Sequence, residues 1–226
     1  MMIAQSIHAT QIIRINPGYL RLKRFLDILL TLLILPFLCI VVAIVAAGIC
    51  LNSRGPVFYR QKRIGQDGKA FEMYKFRSMY VNSSHSSHQE AITKYINGEK
   101  LNAEAGTTMA YKQSHDPRIT TIGRFLRKTS IDELPQFFNV LRGEMSLVGP
   151  RPPVPYEVEL YSERDLLRLA GKPGLTGVWQ VYGRSRVGFQ EMVEMDIRYL
   201  HSQSLWQDIK LIVLTVPVMI LGHGGA

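Results

Sequence analysis

Residues 28–51 read ILLTLLILPFLCIVVAIVAAGICL, 24 residues without a charged side chain. At about 1.5 Å per residue, such a run is long enough for the hydrocarbon core of a bilayer. The run does not read as a cleaved signal peptide, because it starts late, is long, and ends in Asn52-Ser53-Arg54 rather than a small-residue cleavage site. The chain therefore reads as membrane-bound. Cations flank the run on both sides: Arg14, Arg21, Lys23 and Arg24 before it, and Arg54, Arg60, Lys62 and Arg63 after it. A spanning helix carries its excess on one side. Pro36 removes a backbone hydrogen bond about a third of the way in, where a bend is expected. Both features predict a re-entrant segment that dips into the membrane and returns to the cytoplasmic face. Asp27, at the edge of the run, is placed to pair with Lys23 or Arg24 one helical turn earlier.

Beyond the anchor, 226 residues suffice for one domain with a real core. A net charge of +9 points to an anionic partner: nucleic acid, acidic lipid or a phosphorylated substrate. No nucleic-acid motif is present, and such a role would leave the apolar run without a purpose. Cys39 and Cys50 are eleven residues apart, about 16 Å on a helix and beyond disulfide reach. Zinc-type Cys and His spacings are missing. The thiols read as small hydrophobes in a reducing setting.

Residues 57–63 and 70–77 read as strands around Asp67-Gly68, a hairpin turn signal, with Lys75 and Arg77 on one face. Residues 81–115 are polar; His85 and His88 have no carboxylate or cysteine beside them, so the segment reads as a loop, with a short helix over 89–96 stopped by Asn97-Gly98. Arg118, Arg124, Arg127 and Lys128 form a cation-dense block. A helix is predicted over 131–141, with Pro135 near its start and Gly143 as its stop. Residues 156–169 read as a charged amphipathic helix, and 172–177 as a tight loop whose glycines let backbone approach a ligand. Phe189, Met192, Val193, Ile197 and Leu200 share a helical face with Asp196, whose carboxylate needs a partner, by default a structural ion pair. Residues 211–221 are apolar but too few to cross a bilayer; with Trp206 and Lys210 they predict an interfacial helix.

The chemistry concentrates in Ser130-Ile131-Asp132-Glu133-Leu134-Pro135. Ser130 and Glu133 have the spacing of a capping box. A helix amino terminus can hold a phosphate and keep Asp132 ionised, and an ionised aspartate is a nucleophile toward phosphorus. On those residues alone, Asp132 and Glu133 could equally just complement the helix dipole. Gly149-Pro150-Arg151-Pro152 presents a guanidinium from a turn stiffened by two prolines. Its alternatives are to cap the carboxyl end of the 131–141 helix or to pair with Glu144.

In order and spacing the chain resembles the bacterial sugar transferases, the monotopic phosphoglycosyl transferases that load polyprenyl phosphate. The likeness runs from about Lys23 to Gly222. It rests on Lys23-Arg24-Phe25-Leu26-Asp27, Gly55-Pro56-Val57-Phe58, Tyr74-Lys75-Phe76-Arg77-Ser78-Met79 and Asp116-Pro117-Arg118. It continues through Ser130-Ile131-Asp132-Glu133-Leu134-Pro135-Gln136, Met145-Ser146-Leu147-Val148-Gly149-Pro150-Arg151-Pro152 and Lys172-Pro173-Gly174-Leu175-Thr176-Gly177.

The resemblance implies that Asp132 attacks the β-phosphorus of a UDP-sugar with Glu133 in support, that UMP leaves, and that polyprenyl (undecaprenyl) phosphate takes the phosphosugar. It implies magnesium near Asp132. Lys75, Arg127 and Arg151 are the cations expected at the phosphates. Arg118, Thr176, Gln180 and Arg184 complete the substrate-binding set, the last two from a matching Gln-Val-Tyr-Gly-Arg stretch. The fold expected is α+β and mainly helical. It has an amino-terminal flank at 1–22, a re-entrant membrane helix at 23–54, and a cytoplasmic catalytic domain at 55–226 that forms one unit with that helix. Location at the cytoplasmic face of a bacterial inner membrane rich in anionic phospholipid follows, with glycan assembly as the pathway. The sugar and the oligomeric state, homo-oligomer included, stay open. The competing function is a catalytically silent, membrane-anchored subunit of a polysaccharide export machine. Three departures from the family stand out: Leu35 rather than serine precedes Pro36, the 81–115 segment is long, and no multi-span region precedes the anchor.

Overall fold

The computed structural model describes residues 13, 16–80, 86–98, 116–183 and 187–220. Helix α1 (Pro17–Asn52) opens with Asn16, whose side chain accepts from the Gly18 N–H at 2.8 Å, and with proline at the first helical position. Its 36 residues amount to about 54 Å. Pro36 lies inside this helix without ending it, so the chain stays helical across the proline. A proline forfeits one hydrogen bond there, and the helical bonds on either side hold the rest.

Lys23, Asp27, Thr31, Leu38, Val45 and Ile49 are buried and recur at helical spacing, forming one stripe along α1. The stripe meets one globular body at both ends. Near its start, Lys23 pairs with Asp208, the Arg24 guanidinium donates to the Val140 and Leu141 carbonyls, and Asp27 accepts from the Leu147 N–H at 3.0 Å. Near its end, Val45 and Ile49 pack with Phe76 and Leu126. The opposite face exposes Phe25, Leu33, Phe37, Ile40 and Ile44.

Strands β1 (Phe58–Ile64) and β2 (Ala70–Phe76) pair antiparallel from Phe58 with Phe76 to Ile64 with Ala70. Asp67 and Gly68 turn the hairpin at positive φ, as the sequence signals. Helix α2 (Ser86–Ile96) ends before Gly98, which has φ 71°. Most of 81–115 lies outside the described residues. Helix α3 (Thr121–Lys128) is capped by Thr120.

The single helix expected over 131–141 is two pieces: a 3-10 turn, Ile131–Gln136, and helix α4 (Phe137–Arg142). Gly143, at φ 81°, stops α4 as predicted. Strand β3 (Ser146–Val148) pairs in parallel with β4 (Gly174–Thr176). The 172–177 segment is therefore part of a sheet and not simply a loop. A Cβ on Gly174 would lie 2.0 Å from the Gly149 nitrogen, so its missing side chain admits protein backbone, not a ligand. Between β3 and β4 the predicted 156–169 helix is broken into α5 (Pro155–Val158), α6 (Glu163–Leu166) and a 3-10 turn, Leu167–Ala170. Ser162 and Asp165 cap each other and restart the chain as a new helix.

Helix α7 (Val178–Tyr182) precedes α8 (Phe189–Ser202), whose Phe189, Met192, Val193, Ile197 and Leu200 are all buried. Asp196, on that face, binds Arg168 at 2.6 Å with both side chains enclosed, the predicted ion pair. Helix α9 (Leu205–Ile220) is longer than expected and exposes Trp206, Ile209, Val213 and Val216 along one stripe while Leu211 is buried. The fold is mainly helical with a small hairpin.

Candidate active site

Asp132 and Glu133 stand in the first turn of the 3-10 segment, which packs on β2 and α3. The predicted capping box is not formed. Ser130 adopts φ 55°, in the left-handed region, and its side chain makes no cap bond. Its carbonyl instead accepts from the Glu133 N–H at 3.1 Å. The Glu133 carboxylate reaches sideways to Lys75 on β2, at 2.8 Å. Arg151 Nη2 approaches the same Oε1 at 4.0 Å. The alternatives for Arg151 are taken by others: Arg24 caps the carboxyl end of α4, and Glu144 accepts from Asn139.

Asp132 is nearly buried. Its charge acts on the Arg127 guanidinium of α3, as does that of Asp116. Burial draws the Arg127 pKa down and these two carboxylates hold it up. Arg127 Nε donates to Ser78 Oγ at 2.9 Å, which aims α3 at the end of β2. Asn139, fully buried in α4, donates to the Glu72 carbonyl and accepts from the Tyr74 N–H, fastening β2 beside the segment that carries Asp132.

The structure thus brings together Asp132, Glu133, Lys75, Arg127 and Arg151. Arg118 grips Asp116 through Nε and Nη2, which holds the Asp116 carboxyl below the usual carboxylate range. Thr176 and Gln180 lie behind the Gly149 turn: Gly149 N–H donates to the Thr176 carbonyl, Thr176 Oγ1 meets Thr215 Oγ1 at 2.7 Å, and Gln180 Nε2 donates to the Leu175 carbonyl. Arg184 lies outside the described residues.

Sequence reasoning missed the layer beneath Arg151. Arg63, first read as a cation flanking the membrane, is buried and donates to the Pro152 carbonyl at 2.8 Å. Arg168 Nη2 donates to the Arg151 carbonyl at 3.3 Å. Together they hold the prolyl turn from below. Nothing local in the sequence marks these two, because each acts on a backbone atom far along the chain. Asp27 likewise takes a backbone N–H while Lys23 goes to Asp208, so the expected pair within α1 gives way to contacts with the body.

A carboxylate beside three convergent cations can present an oxygen nucleophile to a phosphate group that those cations hold. Magnesium fits this donor set: the ion commonly takes one or two carboxylates and completes its shell with water and substrate phosphates. Asp132 and Glu133, adjacent in the 3-10 turn, are the carboxylates that could hold it.

Two carboxylates and three cations thus converge on a body attached to a long apolar helix. The bacterial sugar transferase family model matches residues 18–222, and the chain belongs to that family. It is 44% identical over 92% of its length to the galactosyl transferase CpsE of Streptococcus agalactiae, covering 44% of that protein. It is 45% identical over 75% of its length to the undecaprenyl-phosphate galactose phosphotransferase of Salmonella typhimurium, covering 34% of it. With the UDP-glucose:undecaprenyl-phosphate glucose-1-phosphate transferase of Escherichia coli it shares 41% identity over 86% of its length and 39% of the relative's. The chain spans less than half the length of each of these relatives.

Proposed function

We propose that the chain is a phosphoglycosyl transferase that moves a sugar 1-phosphate from a UDP-sugar to polyprenyl phosphate at the cytoplasmic face of the bacterial inner membrane. The observation that carries this reading is the meeting of Asp132 with Lys75, Arg127 and Arg151 around Glu133. Names of the relatives, which pair undecaprenyl phosphate with galactose or UDP-glucose, support the substrate classes.

Lys75 and Arg151 bind the donor diphosphate, and Arg127 draws the β-phosphate toward Asp132. An Asp132 oxygen bonds to the β-phosphorus as the bridging P–O bond breaks and UMP departs. An oxygen of the lipid phosphate then attacks the same phosphorus, the Asp132–phosphorus bond breaks, and the carboxylate is restored. Magnesium, when bound, offsets diphosphate charge. The product, a polyprenyl diphosphate sugar, would enter exopolysaccharide, capsule or other glycan assembly.

Membrane attachment is read as monotopic. Both ends of α1 contact one body, and its opposite face is exposed and apolar, so the helix lies in one leaflet with that face toward lipid. With Cys39 and Cys50 replaced, single cysteines at Gly18 and Arg54 should both label from the cytoplasmic side alone. Labelling of Gly18→Cys from the opposite side would show a spanning helix.

UMP release from UDP-sugar and polyprenyl phosphate tests the activity. Asp132→Asn keeps the shape but removes the nucleophile, so turnover should fall more than about 10³-fold, roughly 4 kcal/mol. Near-normal UMP release by this variant would overturn the covalent route, and none from the unaltered protein would overturn the reading as a whole.

A further inference from the structure

A cavity lies beneath the start of α1, between Lys23, Arg24 and Asp27 on one side and Lys172, Tyr199 and Gln203 on the other. Lys23 is neutralised in place by Asp208 at 2.7 Å, and Asp27 commits one oxygen to the Leu147 N–H. Arg24 and Lys172 converge over Gly143: a Cβ there would lie 3.4 Å from Arg24 Nη2 and 3.9 Å from Lys172 Nζ. Among the described residues, the Lys172 ammonium has no ion pair or hydrogen bond. Arg24 donates to the Val140 and Leu141 carbonyls, which leave its charge uncancelled. Two cationic heads thus face one cavity whose carboxylate is already engaged, and an anion has room there.

We infer that this cavity binds a phosphate carried by a membrane lipid. Its depth decides the carrier: Leu20, Lys23, Arg24 and Asp27 immediately precede the apolar run 28–51, at the level where headgroups meet hydrocarbon. Burial, with Arg24 close by, depresses the Lys172 pKa, an effect that a bound phosphate would relieve. The lining of the cavity includes none of Asp132, Glu133, Lys75, Arg127 and Arg151. Arg24 grips the Val140 and Leu141 carbonyls at the far end of α4, eight residues and more beyond Asp132. A lipid held here is not the one under attack; it fastens α1 to the body. Two lipids share the chemistry, anionic phospholipid and polyprenyl phosphate awaiting transfer.

The inference rests on the membrane reading above, but its test reads lipid-dependent stability, so its failure is distinguishable from failure of UMP release. The full chain in neutral detergent is melted with phosphatidylcholine alone, with added phosphatidylglycerol, with polyprenyl phosphate, or with inorganic phosphate. At least one of the two anionic lipids should raise Tm by about 2–4 °C over phosphatidylcholine, and the one that does identifies the occupant. Lys172→Gln should abolish the shift, whereas Lys210→Gln, an exposed cation on α9, should retain it. Gln203→Glu, which brings a carboxylate to the rim and leaves Lys172 in place, should weaken the shift if the lysine variant does not fold. An undiminished shift in both cavity variants, no shift with either lipid, or an equal shift with inorganic phosphate would overturn the proposal.

Discussion

Lys75 and Glu133 join the hairpin to the 3-10 turn through an ion pair of 2.8 Å, largely shielded from water, directly beside the Asp132 backbone. Its Coulomb gain is set against the cost of desolvating both groups, so the pair adds about 1 kcal/mol or less to stability. Its value is positional: it sets Lys75 and the 3-10 turn in one geometry. Glu133→Gln should therefore shift the denaturation midpoint little while lowering kcat/KM about 10-fold or more, near 1.4 kcal/mol. A variant with full activity and a much lower midpoint would make the pair purely structural.

Arg151 reaches Glu133 from a turn whose carbonyls are held by Arg63 and Arg168. A guanidinium makes two parallel bonds to phosphate oxygens, which an ammonium cannot copy. Arg151→Lys should keep the fold, because Arg24 and not Arg151 caps α4, and should reduce catalytic efficiency about 10-fold. Steady-state rates equal to those of the unaltered protein would move the phosphate site elsewhere.

Gly123 on α3 sits against β2's end, where an added Cβ would come 2.0 Å from the Ser78 carbonyl oxygen. That oxygen is backbone and cannot swing aside, so Gly123→Ala must push α3 outward. The cost should be about 1–3 kcal/mol in urea unfolding. Arg127 would be displaced with its helix, and turnover should fall as well. An alanine variant with unaltered stability and rate would show that α3 yields freely.

Arg168 and Asp196 are both almost fully enclosed. Removing one partner leaves a buried charge, so Asp196→Asn should cost about 3–5 kcal/mol by chemical denaturation. Replacing both, with Arg168→Met and Asp196→Leu, should recover much of that stability but not activity, since the Arg151 carbonyl loses its donor. Recovery of both together would separate Arg168 from the site.

Much of this was legible in the sequence because it is local. The hairpin, the helix face of α8 and the stop at Gly143 follow from periodicity and turn chemistry within a few residues. Ser130 misled, since capping-box spacing says nothing of φ, and at 55° the hydroxyl cannot reach the turn it would cap. The 156–169 helix misled because its polarity fits one amphipathic helix, while Ser162 and Asp165 cap a second one.

By itself the sequence determined that a long apolar segment precedes a cationic domain, and that an Asp-Glu pair stands with Lys75 and Arg151 in a sugar-transferase order. Apolar length and residue chemistry are properties of the chain before it folds. Only the tertiary structure decided which cations turn inward. Lys23 crosses 185 residues to Asp208, Arg24 reaches 116 residues to the end of α4, and Arg63 reaches 89 to the Pro152 carbonyl. Packing brings such partners together across the chain, and burial then makes each charge take the nearest available opposite charge or carbonyl; neither event leaves a mark at short range.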